Sequence, residues 1–141
     1  MEDKIQSHII IEEAGRHRVL LTYALFRKAA AIYLVWVVLS CIEYIYHYTP
    51  YFQKVYHLWI NIYIYRIIPL MHFVHIILGV ASYYLQNKAY NLQKTALRTG
   101  DSEGFISSYK VFRRGMILGI LITATAILSI LIFFITHNPV T

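Results

Sequence analysis

The sequence predicts an all-α integral-membrane bundle of three transmembrane helices, and three observations carry that expectation. The chain is 58% hydrophobic and only 14% charged, whereas a soluble domain is about a quarter charged. Its apolar residues gather into three runs, each of the roughly 20 residues that a helix needs to cross a hydrocarbon core of about 30 Å. Its charges lie almost entirely between those runs, with 13 Lys and Arg against 7 Asp and Glu. A compact aqueous fold of 141 residues could not bury so much apolar surface, so a single membrane domain over residues 1–141 is expected. Helices are expected because backbone groups in lipid must be satisfied within their own segment.

Residues 1–28 open with MEDKIQSH, acids before bases, and no small-residue cleavage site follows a short apolar core. The segment therefore reads as a cytoplasmic or interfacial helix, not a removable signal. Its apolar positions do not share one narrow face, and Gly15 is where an interruption is expected. The first span, about 29–48, is AAAIYLVWVVLSCIEYIYHY. The short link HYTPYF carries Pro50 and forces the first two spans into an antiparallel hairpin. In the second span, about 55–85, Pro69 removes one backbone bond and is expected to bend the helix between Arg66 and His72. Beyond it, YYLQNKAYNLQKTALR keeps helix-forming residues, TGDSEG supplies a turn, and FISSYKVFRRG begins the helix that enters the third span, about 116–136. Spans two and three are thus expected to extend as a cytoplasmic helical hairpin.

Five of the cations precede the first span and six lie between the second and third; Lys54 alone falls in the other loop, and Arg66 lies within a span. The positive-inside rule then places the N-terminus in the cytoplasm and the C-terminus outside, across a plasma membrane. Tyr44, Tyr46, Tyr48, Tyr51, Tyr56 and Trp59 cluster at the outer interface, where amphipathic rings anchor. The single cysteine, Cys41, excludes a disulfide framework and paired metal thiolates. No phosphate-cradling loop or nucleophile elbow is present. Topology accounts for the basic charge, so nucleic acid is not an expected partner.

An advance of about 100° per residue places His57, Asn61, Tyr65, His72, His75, Gly79, Ser82 and Gln86 on one face of the second span. Such a stripe should meet protein, a cofactor or water, because unpaired polar groups in hydrocarbon cost several kcal/mol. Tyr33, Trp36, Ser40, Glu43 and His47 form a weaker counterpart on the first span. Glu43 and Arg66 lie at comparable depth on antiparallel neighbours and are expected to pair, since an intramembrane charge usually faces the bundle. Gly115 and Gly119, continued by Thr123, make a GxxxG face that suits close helix packing.

His72 and His75 stand near mid-membrane, three residues apart. Neutral imidazole can ligate haem b or a metal, serve a quinone or proton site, or simply hydrogen-bond between helices. A bis-imidazole haem needs histidines from two helices at similar depth, which here calls for a second copy or a partner subunit. His75-Ile-Ile-Leu-Gly79 resembles the membrane-anchor subunits of succinate dehydrogenase and fumarate reductase, whose members bind haem b and quinone. The Ser and His-Arg motifs and the Asp-Tyr pair of those anchors are missing. The stretch from Tyr83 through Ile135 is similar to small uncharacterised bacterial polytopic membrane proteins, with a helix, an acidic turn and a helix entering a final span. That resemblance implies architecture and a bacterial inner membrane, and no chemistry.

The resulting expectation is a small non-enzymatic membrane protein. It would associate with itself or with other membrane subunits through the polar stripe and the GxxxG face, with its basic side against anionic lipid. The alternatives are a haem- or quinone-associated respiratory subunit and a small oligomeric channel or transporter.

Overall fold

The computed structural model describes residues 2–48 and 67–137. They form three helices, α1 (Glu2–Tyr48), α2 (Ile68–Thr99) and α3 (Ser102–His137), with no strand among the described residues. Each is long and apolar enough to cross a membrane. The three-span all-α architecture expected from the sequence is therefore the one observed. With 47 residues, α1 is about 70 Å long at roughly 1.5 Å per residue. All three helices thus outrun the hydrocarbon and project beyond it.

One local expectation changes. Helix α1 runs through Gly15 without interruption; a single glycine costs a helix only about 1 kcal/mol relative to alanine. Pro69 stands at the start of the described part of α2, and the bend expected there reaches back to Arg66, outside the described residues. Residues 55–66 of the expected second span lie outside the described residues.

The turn TGDSEG becomes the α2–α3 hairpin. Gly100 takes the left-handed conformation at φ 68° and ψ 18°, and its N–H donates to the Ala96 carbonyl at 2.9 Å. A residue with a Cβ would be strained there. Asp101 then caps α3, its Oδ1 accepting from the Glu103 N–H at 3.0 Å. A Cβ on Gly104 would lie 3.0 Å from Ala96 Cβ and 2.9 Å from Asp101 Oδ2. Glycine at 104 is what lets the two helices leave the turn in close contact.

Helix α2 is central, with α1 and α3 both packed antiparallel against it. Along α1, Arg27 lies over the Tyr90 ring at 4.1 Å, Tyr33 rests on Gly79, and Tyr44 faces His72 with centroids 5.7 Å apart. Along α3, Ser108 meets Gln93, Gly115 meets Gln86, and Thr125 meets His75. The buried face of α2 is Gly79, Ser82, Gln86, Ala89, Gln93 and Ala96. These are small or amide side chains, which allow the close approach that membrane helices use for packing. Large apolar side chains such as Ile32, Leu39, Ile77, Leu128 and Ile135 point outward. This is the inverse of a soluble bundle, and it is what a lipid solvent demands.

At the hairpin end the three helices are locked together. Ser108, fully buried, donates to Gln93 Oε1 at 2.6 Å and shares a hydrogen bond with the Tyr23 hydroxyl. Tyr23 stacks on Phe112 at 4.2 Å, Phe26 meets the same ring edge-on at 5.2 Å, and Arg16 lies 4.8 Å over Phe105. Aromatic and cation–π contacts of this kind contribute about 0.5–1.5 kcal/mol each. They hold α1 against a hairpin that it otherwise touches through α2.

Candidate functional site

Beyond Phe112, toward the other end, α1 and α3 line opposite sides of a groove whose floor is the polar face of α2. Two recesses lie along it. The one nearer the hairpin, about 620 Å³, has Phe26, Ala29 and Ala30 on one side, Gly119, Thr123 and Ala124 on the other, and Ser82 and Gln86 at its base. The farther one, about 380 Å³, is lined by Trp36, Ser40, His72, His75, Ala126 and Ser129. Small residues at facing positions of α1 and α3 leave this space. The stripe read from the sequence thus turns inward where it is described, forming the floor from His72 to Gln86 and continuing as Gln93 into the hairpin.

The polar atoms of the floor divide into satisfied and unsatisfied. His72 Nδ1–H donates to the Ile68 carbonyl at 2.9 Å, which leaves Nε2 as the nitrogen able to bind a guest. His75 Nε2 lies 2.9 Å from Thr125 Oγ1, and that hydroxyl is within 2.9 Å and 3.0 Å of the Ile122 and Leu121 carbonyls. Thr125 satisfies both by donating to the helix backbone and accepting from His75 Nε2–H. The pair ties α2 to α3.

Nearer the hairpin, two oxygens closed off from the surface, the Tyr33 hydroxyl and Gln86 Oε1, have no partner among the described residues. Gln86 is 2% exposed, and both residues line the larger recess. Each position is fixed by packing. The Tyr33 ring lies on Gly79, where an added Cβ would be 3.3 Å from Tyr33 Cε1, and it meets His75 edge-on at 6.4 Å. The Gln86 amide fills the space that Gly115 leaves, since a Cβ there would be 2.7 Å from Nε2. A buried polar group without a partner costs about 1–3 kcal/mol.

Of the residues singled out by sequence, the structure brings His72 and His75 to one recess and Gly115, Gly119 and Thr123 to the wall of the other. Gly115 packs against Gln86, whereas a Cβ on Gly119 would meet nothing within 4 Å. The Thr123 hydroxyl donates to the Gly119 carbonyl at 3.0 Å. Glu43 is exposed on α1, and Arg66, its expected partner, lies outside the described residues with His57, Asn61 and Tyr65. Among the described residues no group of three or more His, Cys, Asp or Glu could hold a metal ion. For haem b, α1 has no histidine between His17 and His47 and α3 none before His137. Among the described side chains, none on α1 or α3 offers a second axial imidazole opposite His72; His47 and His57 lie outside them.

Sequence reasoning missed Thr125, Ser108 and the pairing of Tyr33 with Gln86. The periodicity that placed Gln86 on the stripe extends to Gln93, seven residues on, and was the available signal for the hairpin contact. Which residue of α3 meets each stripe position depends on the rotation of α3, which no single-helix pattern contains.

No family model, no curated protein and no solved structure matches the chain.

Proposed function

We propose that this is a small non-enzymatic accessory protein of a bacterial inner membrane, with the N-terminus and hairpin cytoplasmic, that works by holding a membrane-embedded guest in the groove between α1 and α3. The observation that carries the reading is the groove itself, with recesses of about 620 Å³ and 380 Å³ between α1 and α3 floored by the polar face of α2. Lipid tails offer a polar floor no hydrogen-bond partners; a guest that carries polar atoms does. Of the polar stripe, Gly79, Ser82 and Gln86 are buried inside the chain's own bundle, so a guest would reach the groove rather than that part of the stripe. A catalytic reading has less support. Nothing among the described residues assembles a nucleophile, a base and an orienting group around either recess.

Native mass spectrometry of protein released from mild detergent tests this. The wild-type chain is expected to carry an additional mass, whether polypeptide or small molecule. Gly119→Leu, which projects into the groove where glycine leaves open space, is expected to lose it, and Leu128→Ala on the outward face to keep it. A wild-type chain that emerges as a bare monomer, or a bound mass that survives Gly119→Leu, overturns the proposal.

A further inference from the structure

The face of α2 that points away from the bundle changes its chemistry once along its length. Phe73, Ile77, Val80 and Tyr84 recur at steps of three and four and are exposed. They lie opposite the packed face that runs from Gly79 to Ala96. The same face continues as Lys88, Asn91 and Thr95. Here an open recess of about 380 Å³ is lined by Tyr84, Asn87, Lys88, Asn91, Leu92 and Thr95. An apolar stripe thus ends, through one tyrosine, in an ammonium, two amides and a hydroxyl.

The recess lies within a belt of cations. Arg27 sits over Tyr90, while Gly115 and Ser108 meet Gln86 and Gln93. Those contacts put Arg27, Lys28, Lys88, Lys110, Arg113 and Arg114 in one layer of the bundle. The acids lie elsewhere, at 2, 3, 12, 13 and 43 on α1 and at 101 and 103 beside the turn. Among the described residues none of the six cations is in an ion pair. Charge left uncompensated at the end of a lipid-facing stripe is complementary to an anionic lipid surface.

We infer that this recess holds the head of an anionic phospholipid, its phosphate accepting hydrogen bonds from the Lys88 ammonium and the Asn87 and Asn91 amides, with the acyl chains along Phe73, Ile77, Val80 and Tyr84. A choline or ethanolamine head would bring a further ammonium into the belt. Free phosphate would leave the apolar stripe unused, and an acidic polypeptide has no need of it. The site lies on the outside of α2 and is separate from the groove. Its lipid exchanges with detergent during purification, so it is supplied by titration.

Native mass spectrometry of delipidated protein tests the assignment, with phosphatidylglycerol, phosphatidylcholine of the same chains and inorganic phosphate added in turn. The first phosphatidylglycerol is expected to bind roughly tenfold more tightly than the first phosphatidylcholine. Lys88→Gln and Asn91→Leu should each weaken phosphatidylglycerol about fivefold, the effect of one basic contact or one hydrogen bond, and leave phosphatidylcholine unchanged. Both residues are exposed, so neither variant should melt lower than the parent. Asn91→Leu removes no charge and therefore reads the site itself. Arg113→Gln removes a charge from the same layer but outside the recess, and should keep most of the preference. Gly119→Leu, which obstructs the groove, should keep all of it.

Equal binding of the two lipids, no effect of Asn91→Leu, or equal losses in Lys88→Gln and Arg113→Gln overturns the site. Loss of the preference in Gly119→Leu moves the lipid to the groove and overturns it as well. Displacement of the lipid by inorganic phosphate at equal concentration, or a copurifying acidic polypeptide that Lys88→Gln releases, overturns the choice of occupant.

Discussion

Ser108 shows how much of this fold depends on single polar atoms. Its hydroxyl is fully buried and donates to Gln93 Oε1, which is itself on a side chain only 3% exposed. Replacing it with alanine leaves the Gln93 oxygen buried without its donor, a loss of about 1–3 kcal/mol. Ser108→Ala is therefore expected to lower stability by that amount in denaturant titration from detergent micelles. Adding Gln93→Leu should recover part of it, because the orphaned amide is then gone and only the Tyr23 hydroxyl is left without Ser108. If the double variant is as unstable as the sum of the singles, the bond is not what holds the hairpin. At this scale the sequence was informative about faces and silent about partners. The stripe on α2 was legible because helical rotation is regular, and it correctly placed His75, Ser82 and Gln86 on one side. That His75 meets Thr125 and Gln86 meets Gly115 depends on how two helices turn against each other.

At the scale of elements, the α2–α3 hairpin was the most legible part, since TGDSEG concentrates turn and capping residues between two helix-forming stretches. What it did not disclose is that Gly100 and Gly104 act by different means, one through backbone conformation and the other through space. Gly104→Val would drive methyl groups toward Ala96 Cβ, already 3.0 Å from the position of an added Cβ. Splaying of the hairpin is expected, read as a longer spin-label distance between positions 94 and 110 and faster amide exchange around Ala96. An unchanged distance would mean that the close approach is not needed. Gly15 teaches the converse, because a residue that often marks a break lies inside a helix of 47 residues. Its neighbours form helix well enough to carry one glycine.

For the whole molecule, the described residues form a bundle closed at the hairpin end and grooved beyond it, and the proposed orientation rests on charge. The hairpin and the segment before the first span hold eleven of the thirteen cations, and moving so many across the membrane is opposed by both desolvation and the membrane potential. With three spans, the proposed orientation puts the C-terminus on the other side. A cysteine placed at Gly100 would strain that left-handed position, so Ser102, exposed beside it, is the better reporter. In a Cys41→Ala background, Ser102→Cys is expected to react with a membrane-impermeant maleimide only after the membrane is opened, and Thr141→Cys in intact cells. Reversed labelling would place the basic hairpin outside and withdraw the assigned orientation. It would leave the groove unaffected, because both recesses lie between the helices whichever end faces the cytoplasm.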